Sequence, residues 1–266
     1  MEDKKYELTN IAMEFHGRTL YRIKALKDFA DVKKGDLGGW VSNENNLSQE
    51  DNCWIYDDAK CMDNSKMYDN STMHGCSKMY DNSAMYGHSE MHDFSKMFED
   101  STMHGNSEMH DCSEMYGNST VYGNSIMYNY SKMYDNSTMF DDSALYDNST
   151  MYDSSAIFDN SEMHGESEMY GYSKMYGDSI LKDEEKLYGE LISKVDKFID
   201  ISNPKGEIVT GVLKDGEVLF NVGNLSEINK EEFLDILYSG DEITEESSSR
   251  KEYLKIINII ILYLLG

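Results

Sequence analysis

Proline, cysteine and positive charge are all scarce in this chain of 266 residues. It has one proline, four cysteines, and 24 lysines and arginines against 50 aspartates and glutamates, for a formal net charge of −26. Arginine is absent from residues 53–182 altogether. Because phosphate binding needs a basic surface, these absences argue against nucleic acid and anionic membranes as partners. Most of the acidic surface is expected to be simply solvated.

Long apolar runs are scarce as well. The apolar tail, Ile256 to Leu265, has ten residues, which is too short to cross a bilayer. The opening Met-Glu-Asp-Lys-Lys-Tyr lacks the apolar stretch of a signal peptide. We therefore expect a cytoplasmic protein whose tail is buried in its own domain or in a subunit interface, with a membrane contact as the alternative.

What the chain does contain is a six-residue phrase repeated without a break. From Ser65 to Ser179, serine occurs at every sixth position, twenty times in succession. An apolar residue, usually methionine, follows two positions later, then an aromatic residue or histidine, then a pair rich in Asp, Gly and Asn. Four alternating residues predict a short strand, with Ser and Met inward, and the pair predicts a corner that Asn and Gly can turn. Disorder is the alternative, but a disordered chain has no reason to keep methionine in register.

Residue columns sort at a spacing of eighteen, which predicts three strands per coil. Four histidines share one column of the aromatic position, namely His74, His92, His110 and His164. Small outward residues share another column, namely Ala84, Thr102, Thr120, Thr138 and Ala156. We therefore predict an all-β solenoid, a triangular parallel β-helix of about seven 18-residue coils that is roughly 35 Å long.

The segment that leads into the array carries a resemblance to a known family. The stretches Leu26-Lys-Asp-Phe-Ala-Asp-Val-Lys-Lys-Gly-Asp-Leu-Gly-Gly-Trp40 and Asn46-Leu-Ser-Gln-Glu-Asp-Asn-Cys-Trp-Ile-Tyr56 resemble the start of the YdcK-type hexapeptide-repeat proteins of bacteria and their phages. The resemblance implies a single-stranded, left-handed β-helix of the trimeric acyltransferase (LpxA-like) superfamily. The left hand follows from the resemblance alone, since parallel crossovers are normally right-handed. This array departs from the family by using Ser and Met where Ala and Val are commoner.

Three domains are predicted. Residues 1–52 form an N-terminal β-hairpin cap and the first coil, with a turn at His16-Gly17-Arg18 and a bend at Gly38-Gly39-Trp40, for which a ligand pocket is the alternative. Residues 53–182 form the β-helix. Residues 183–266 form a small α+β domain with a three-stranded sheet, a hairpin turn at Asp215-Gly216, and two helices, one starting in 226–231 and one spanning 250–265.

No catalytic residue can be singled out, and no cofactor is expected. The histidines take the position that tyrosine fills elsewhere, and parallel rings about 4.8 Å apart do not converge as zinc ligands do. Twenty equivalent inward serines argue against any one of them as a nucleophile. Cys53 and Cys61 point inward, while Cys76 and Cys112 lie two coils apart, so no disulfide is expected and a reducing compartment fits.

Stacked corner carboxylates are the weak candidates for metal ligands. Asp135 and Asp153 share one column; the four calcium candidates lie in the other two columns, and are Asp93, Asp111, Asp141 and Asp159. Calcium would relieve their mutual repulsion by bridging carboxylate oxygens. Loose screening by counterions is the alternative.

The favoured function is a non-catalytic, rigid scaffold that binds another protein or itself. Its candidate interface is the flattest side, made of Ala84, Tyr86, Thr102, Thr120, Tyr122, Thr138, Phe140, Ala156 and Phe158. A homo-oligomer is expected, and the superfamily resemblance favours a trimer. The phage-borne relatives suggest a phage or prophage accessory protein that binds a host factor in the host cytoplasm. An acidic nucleic-acid mimic that inhibits a DNA-binding host protein, and an acyltransferase, are the two alternatives.

Overall fold

The repeats fold as an all-β parallel solenoid, as the period predicts, with about eight turns where about seven were predicted. The computed structural model describes residues 4–188, 197–202, 208–214, 217–222, 225–239, 256–258, 260 and 261. Each turn contributes one two-residue strand to each of three sides, and strands on one side pair in parallel with partners eighteen residues away, such as Met91 with Met109. The predicted coil length is therefore confirmed.

The three sides are named here by their outward residues. The Thr side has the strands Lys66–Met67, Ala84–Met85, Thr102–Met103, Thr120–Val121, Thr138–Met139, Ala156–Ile157 and Lys174–Met175. The His side has Trp54–Ile55, Thr72–Met73, Glu90–Met91, Glu108–Met109, Ile126–Met127, Ala144–Leu145, Glu162–Met163 and Ile180–Leu181. The Lys side has Lys60–Cys61, Lys78–Met79, Lys96–Met97, Glu114–Met115, Lys132–Met133, Thr150–Met151, Glu168–Met169 and Lys186–Leu187.

Serine and methionine fill the interior, as predicted from the alternation. All twenty array serines are fully buried, together with the apolar residues that follow them. Eight hydroxyls donate to the carbonyl three residues back, namely those of Ser65, Ser71, Ser83, Ser95, Ser125, Ser155, Ser161 and Ser179. Ser143 shares a hydrogen bond with Ser125, one coil away, at 3.2 Å. The other eleven hydroxyls have no partner among the described residues.

The corners turn through a left-handed residue, and it is the first of each corner pair. That position is held by aspartate or glycine in most coils, as with Asp93 at φ 56° and Gly105 at φ 77°. The asparagine that often follows does not adopt this conformation, so the sequence-based assignment of the turn to Asn and Gly was only half right. Aspartate fits because its short side chain can satisfy backbone groups nearby. The carboxylate of Asp159, for example, accepts the N–H of Gly177 one coil on at 2.8 Å.

Parallel pairing extends beyond the limits of 53–182 drawn from the sequence. At the C-terminal end, the strand Lys186–Leu187 pairs with Glu168–Met169, although its unit lacks the serine of the phrase. At the N-terminal end, Trp40 pairs with Lys60 at a spacing of twenty residues. The extra residues lie between Leu47 and Trp54, because Leu47 still pairs at twenty and Trp54 already pairs at eighteen.

An antiparallel hairpin caps this first coil. Its strands are Tyr6–Phe15 and Arg18–Ala25, joined by His16 and Gly17 at positive φ, and Arg18–Ala25 pairs with a third strand, Leu37–Val41. A one-turn 3-10 helix, Glu44–Asn46, follows. Gly38 and Gly39 are required by close packing, because a Cβ on Gly39 would lie 2.3 Å from Cγ2 of Ile55.

The buried ammonium of Lys5 fixes the start of the chain to the enlarged first coil. It donates to the carbonyls of Glu50 and Cys53, both at 3.0 Å, and it lies 5.3 Å from the ring centre of Phe29. Burial lowers the pKa of Lys5 below its usual value. These bonds satisfy carbonyls that the irregular segment leaves without strand partners.

The C-terminal segment contains a four-stranded antiparallel sheet and a helix. The strands are Lys197–Ser202, Ile208–Lys214, Glu217–Val222 and Leu225–Asn229, followed by the helix Lys230–Ser239. The helix begins at Lys230, inside the predicted range 226–231, and residues 226–229 complete a sheet of four strands where three were predicted. Asn229 and Glu232 then form a reciprocal cap, with bonds of 2.9 and 3.0 Å. Residues 256–258, 260 and 261 are helical; the rest of the predicted second helix and the 215–216 turn lie outside the described residues.

Candidate functional site

An uninterrupted column of aromatic rings runs along the Thr side. Its members are Tyr68, Tyr86, His104, Tyr122, Phe140, Phe158 and Tyr176, with neighbouring ring centres 4.6 to 5.3 Å apart and nearly parallel. Stacking hides the ring faces, so the column presents mainly ring edges to solvent; Tyr122 is still 38% exposed. The sequence-predicted interface residues are thus brought together on one side.

The outward residues beside this column are small and uncharged for five successive coils. Lys66 and Lys174 close the run at its two ends. The hydroxyls of Thr102 and Thr120 each donate to the carbonyl two residues back, at 3.3 Å, so they are already satisfied. These two hydroxyls therefore need no further hydrogen-bond partner.

The other two sides carry charge. On the Lys side, the carboxylate of Glu114 lies between Lys96 and Lys132, at 2.6 and 3.5 Å, and it accepts the hydroxyl of Tyr116 at 2.7 Å. Burial raises the pKa of Glu114, but the hydrogen bonds from Lys96 and Tyr116 outweigh it and leave that pKa below its usual value. The Lys side therefore carries ion pairs where the Thr side carries uncharged residues.

A groove of about 870 Å³ lies at the N-terminal end of the Thr side. Residues 43–49, which include the 3-10 helix, form one wall, and Lys66, Tyr68, Ala84 and Tyr86 form the other. Within the described residues this segment is where the regular coil gives way to a loop beside the array. The sequence analysis found no loop within residues 53–181, and this one precedes them.

The histidine column on the His side is confirmed, and each histidine has a defined partner. The order of stacked rings is Tyr56, His74, His92, His110, Tyr128, Tyr146 and His164. The Nε2 atoms of His92, His110 and His164 lie 3.0, 2.7 and 2.7 Å from a carboxylate oxygen of the glutamate two residues before each of them. His74 instead meets the hydroxyl of Thr72 at 3.1 Å.

Three of these groups come together in a way that sequence reasoning missed. The ligand atoms of His74, Glu90 and His92 all lie within 4.8 Å of one another. The parallel rings were evident from the sequence, but Glu90, two residues before His92, was not considered with them. The Glu-x-His spacing was the signal that could have revealed the cluster, because residues two apart on a strand face the same side.

The calcium candidates are placed at corners, where backbone donors meet them. The carboxylates of Asp111 and Asp159 accept the N–H groups of Asn129 and Gly177, one coil on, at 3.3 and 2.8 Å. Asp93 and Asp141 hold the same left-handed corner position in their own coils. Among the described residues, none of these aspartates belongs to a cluster of three metal-ligating groups.

Three exposed aromatic residues lie at corners of the coils, in two different columns, and were not assigned a role from the sequence. Phe94 and Tyr130 are 55% and 60% exposed, and Tyr172 is 64% exposed on another corner.

Among the described residues, no helix is long and apolar enough to span a membrane.

The repeat, the parallel coils and the inward Ser-Met pairs define a hexapeptide-repeat β-helix protein. No protein-family model matches the chain. The chain is similar to a protein of Escherichia coli (strain K12) described as "Uncharacterized acetyltransferase YdcK", with 55% identity over 38 residues. That match covers 14% of this chain and 12% of the YdcK protein, so the two share a short segment and not a demonstrated activity.

Proposed function

We propose that this protein is a non-catalytic, rigid scaffold that associates through its Thr side, first of all with copies of itself. The observation that carries this proposal is the run of five uncharged coils beside the aromatic column. Contact surfaces are depleted of charge at their centre and enriched in aromatic residues, and this side has both properties. The Lys and His sides carry ion pairs and glutamates, which favour contact with water.

If the Thr side contacts copies of itself, a closed and symmetric oligomer is the expected arrangement. Three straight sides that pack around a common axis would bury the same residues in each copy, and a trimer is the state that we propose. The exposed ring edges of Tyr122 and its neighbours would then contact the small outward residues of the adjoining copy.

The test places charge in the middle of the Thr side. Thr120→Arg combined with Thr138→Glu changes two adjacent coils and leaves the interior untouched. A matched control puts an arginine beside a glutamate on adjacent coils of the His side, as Ile126→Arg next to the native Glu108. Light scattering coupled to gel filtration should show a trimer for the wild type and the control, and monomers for the Thr-side variant. A wild type that is monomeric, or a Thr-side variant that stays trimeric, would refute the proposal.

An acyltransferase is the second candidate, and the similarity to YdcK is what favours it. The groove between residues 43–49 and the Thr side is where an acyl donor would bind under this alternative. Acetyl-CoA should then raise the melting temperature, and a thiol reagent should detect free CoA once an amine acceptor is added. Neither effect is expected of a scaffold.

A further inference from the structure

We propose that His74, Glu90 and His92 form a binding site for a divalent transition metal ion of the zinc class. Two imidazole nitrogens and one carboxylate oxygen are the donor types that zinc, cobalt(II) and nickel(II) accept. The site lies on the His side, on the strands Thr72–Met73 and Glu90–Met91, and it is separate from the Thr-side surface.

The geometry brings the donors close without yet closing them around an ion. The rings of His74 and His92 stack with their centres 5.0 Å apart, and Nε2 of His92 lies 3.0 Å from Oε2 of Glu90. All three donors fall within 4.8 Å of one another. Tetrahedral zinc with bonds of about 2.0–2.1 Å needs its donors roughly 3.4 Å apart. The most distant pair of donors must therefore approach by up to about 1.4 Å, which rotations of partly exposed side chains can provide.

Parallel rings alone do not make a zinc site, and Glu90 changes that conclusion. Its carboxylate extends from the same strand as His92 and already meets that ring, so one short strand supplies two of the three donors. His74 then supplies the third from the neighbouring coil. The remaining tetrahedral position is left to water.

The surroundings favour a cation. The carboxylates of Asp31, Asp57 and Glu90 act electrostatically on His74, and Asp31 also accepts the hydroxyl of Tyr56 at the end of the ring column. A bound cation would be attracted by these carboxylates.

The same column contains a natural control. Glu162 and His164 repeat the Glu-His pair at 2.7 Å, but the ring stacked before His164 belongs to Tyr146. That pair therefore offers two donors where the proposed site offers three. The repeat also supplies conservative replacements, since tyrosine and threonine occupy the corresponding positions in other coils.

The experiment measures zinc bound to the full chain by equilibrium dialysis, with cobalt(II) absorption as a second probe. We expect about one tightly held zinc per chain. His92→Tyr and Glu90→Thr should each weaken binding by about tenfold or more. Glu162→Thr with His164→Tyr should leave it unchanged. Folding of each variant is checked by circular dichroism.

A measurement on the wild type keeps the test independent of the variants. Long-range ¹H–¹⁵N spectra of the imidazoles should show the Nε2 signals of His74 and His92 shifting on addition of zinc, with His164 unaffected. The proposal is overturned if zinc does not bind saturably at micromolar concentration, if the control variant loses as much zinc as His92→Tyr, or if His164 shifts in place of His74.

Discussion

Two serines in equivalent positions test how the interior is stabilised. Ser95 and Ser131 both belong to the Lys side, two coils apart, and both precede a Lys-Met pair. Each is fully buried. The hydroxyl of Ser95 donates to the carbonyl of His92 at 2.7 Å, whereas that of Ser131 has no partner within the described part of the chain. Replacing each by alanine removes the same atom from two different environments.

The expected free-energy changes have opposite signs. Ser95→Ala loses a net hydrogen bond of about 1 kcal/mol, and the carbonyl of His92 keeps the backbone N–H of Ser95 at 3.1 Å. Ser131→Ala relieves a buried, unpaired hydroxyl, whose desolvation costs about 1–3 kcal/mol. The free energies of unfolding of the two variants should therefore differ by about 2 kcal/mol or more, with Ser131→Ala the more stable.

Urea unfolding followed by circular dichroism measures this difference, provided that the slope with urea is the same in all three proteins. Because each coil contacts only its neighbours, two changes on one side of the array are directly comparable. Equal destabilisation by both substitutions would show that Ser131 does have a partner. It would also mean that the serines are retained for hydrogen bonding throughout.

Two further substitutions test the cap and the charged side. Gly39→Ala should destabilise by about 2 kcal/mol, because the new Cβ would lie 2.3 Å from Ile55 and 2.6 Å from the carbonyl of Ala59; an unchanged melting temperature would contradict the close packing. Glu114 has a pKa lowered in the fold relative to the unfolded value of about 4.3, so its stabilisation is present above that value and is lost as the pH falls through the folded pKa. The stability advantage of the wild type over Glu114→Gln should therefore shrink as the pH falls below about 4.3, and a constant difference in the free energy of unfolding would exclude the network with Lys96.

The six-residue period of the sequence predicted most of the architecture. A strict six-residue repeat fixes which side chains point inward, and the eighteen-residue columns fix which residues lie above one another. The sides, the inward Ser-Met pairs and the histidine column could therefore be predicted. The positions of the corner pairs were also clear, but which residue of each pair takes the left-handed conformation was not. Both positions of a pair carry residues that tolerate the left-handed region, aspartate or glycine first and often asparagine second, so residue type alone does not separate them.

Prediction failed where the repeat ends. The first coil has two additional residues, and no periodic neighbour marks where they lie. The burial of Lys5 depends on carbonyls of Glu50 and Cys53, more than forty positions away, and a lysine near a chain end otherwise indicates solvent. Residues 226–229 lie in the range predicted to start a helix, whereas they belong to the strand Leu225–Asn229, and pairing with Glu217–Val222 decides its conformation.

A strictly regular repeat matters more for the outward side chains of the array than for the inward ones. Inward positions accept Val121 or Leu145 in place of methionine without changing the coil. Outward ladders are more demanding, because rings stack, and corner side chains bond, only when matching groups recur eighteen residues apart. The side chain of Asn106, for example, donates to that of Asn124 at 2.9 Å. Similar coils thus repeat many weak contacts along the array.

The same ladders decide where a cation is expected. Stacked corner carboxylates repel by about 1 kcal/mol in a water-like dielectric. A hydrogen bond to a charged group contributes about 1.5–3 kcal/mol, so the N–H that Gly177 donates to Asp159 outweighs that repulsion. Such corner acids are stabilised without an ion. Glu90 instead faces the ring nitrogen of His92, where a metal ion can take the place of a proton. A divalent ion should therefore bind at the histidine ladder and leave the corners to screening by salt.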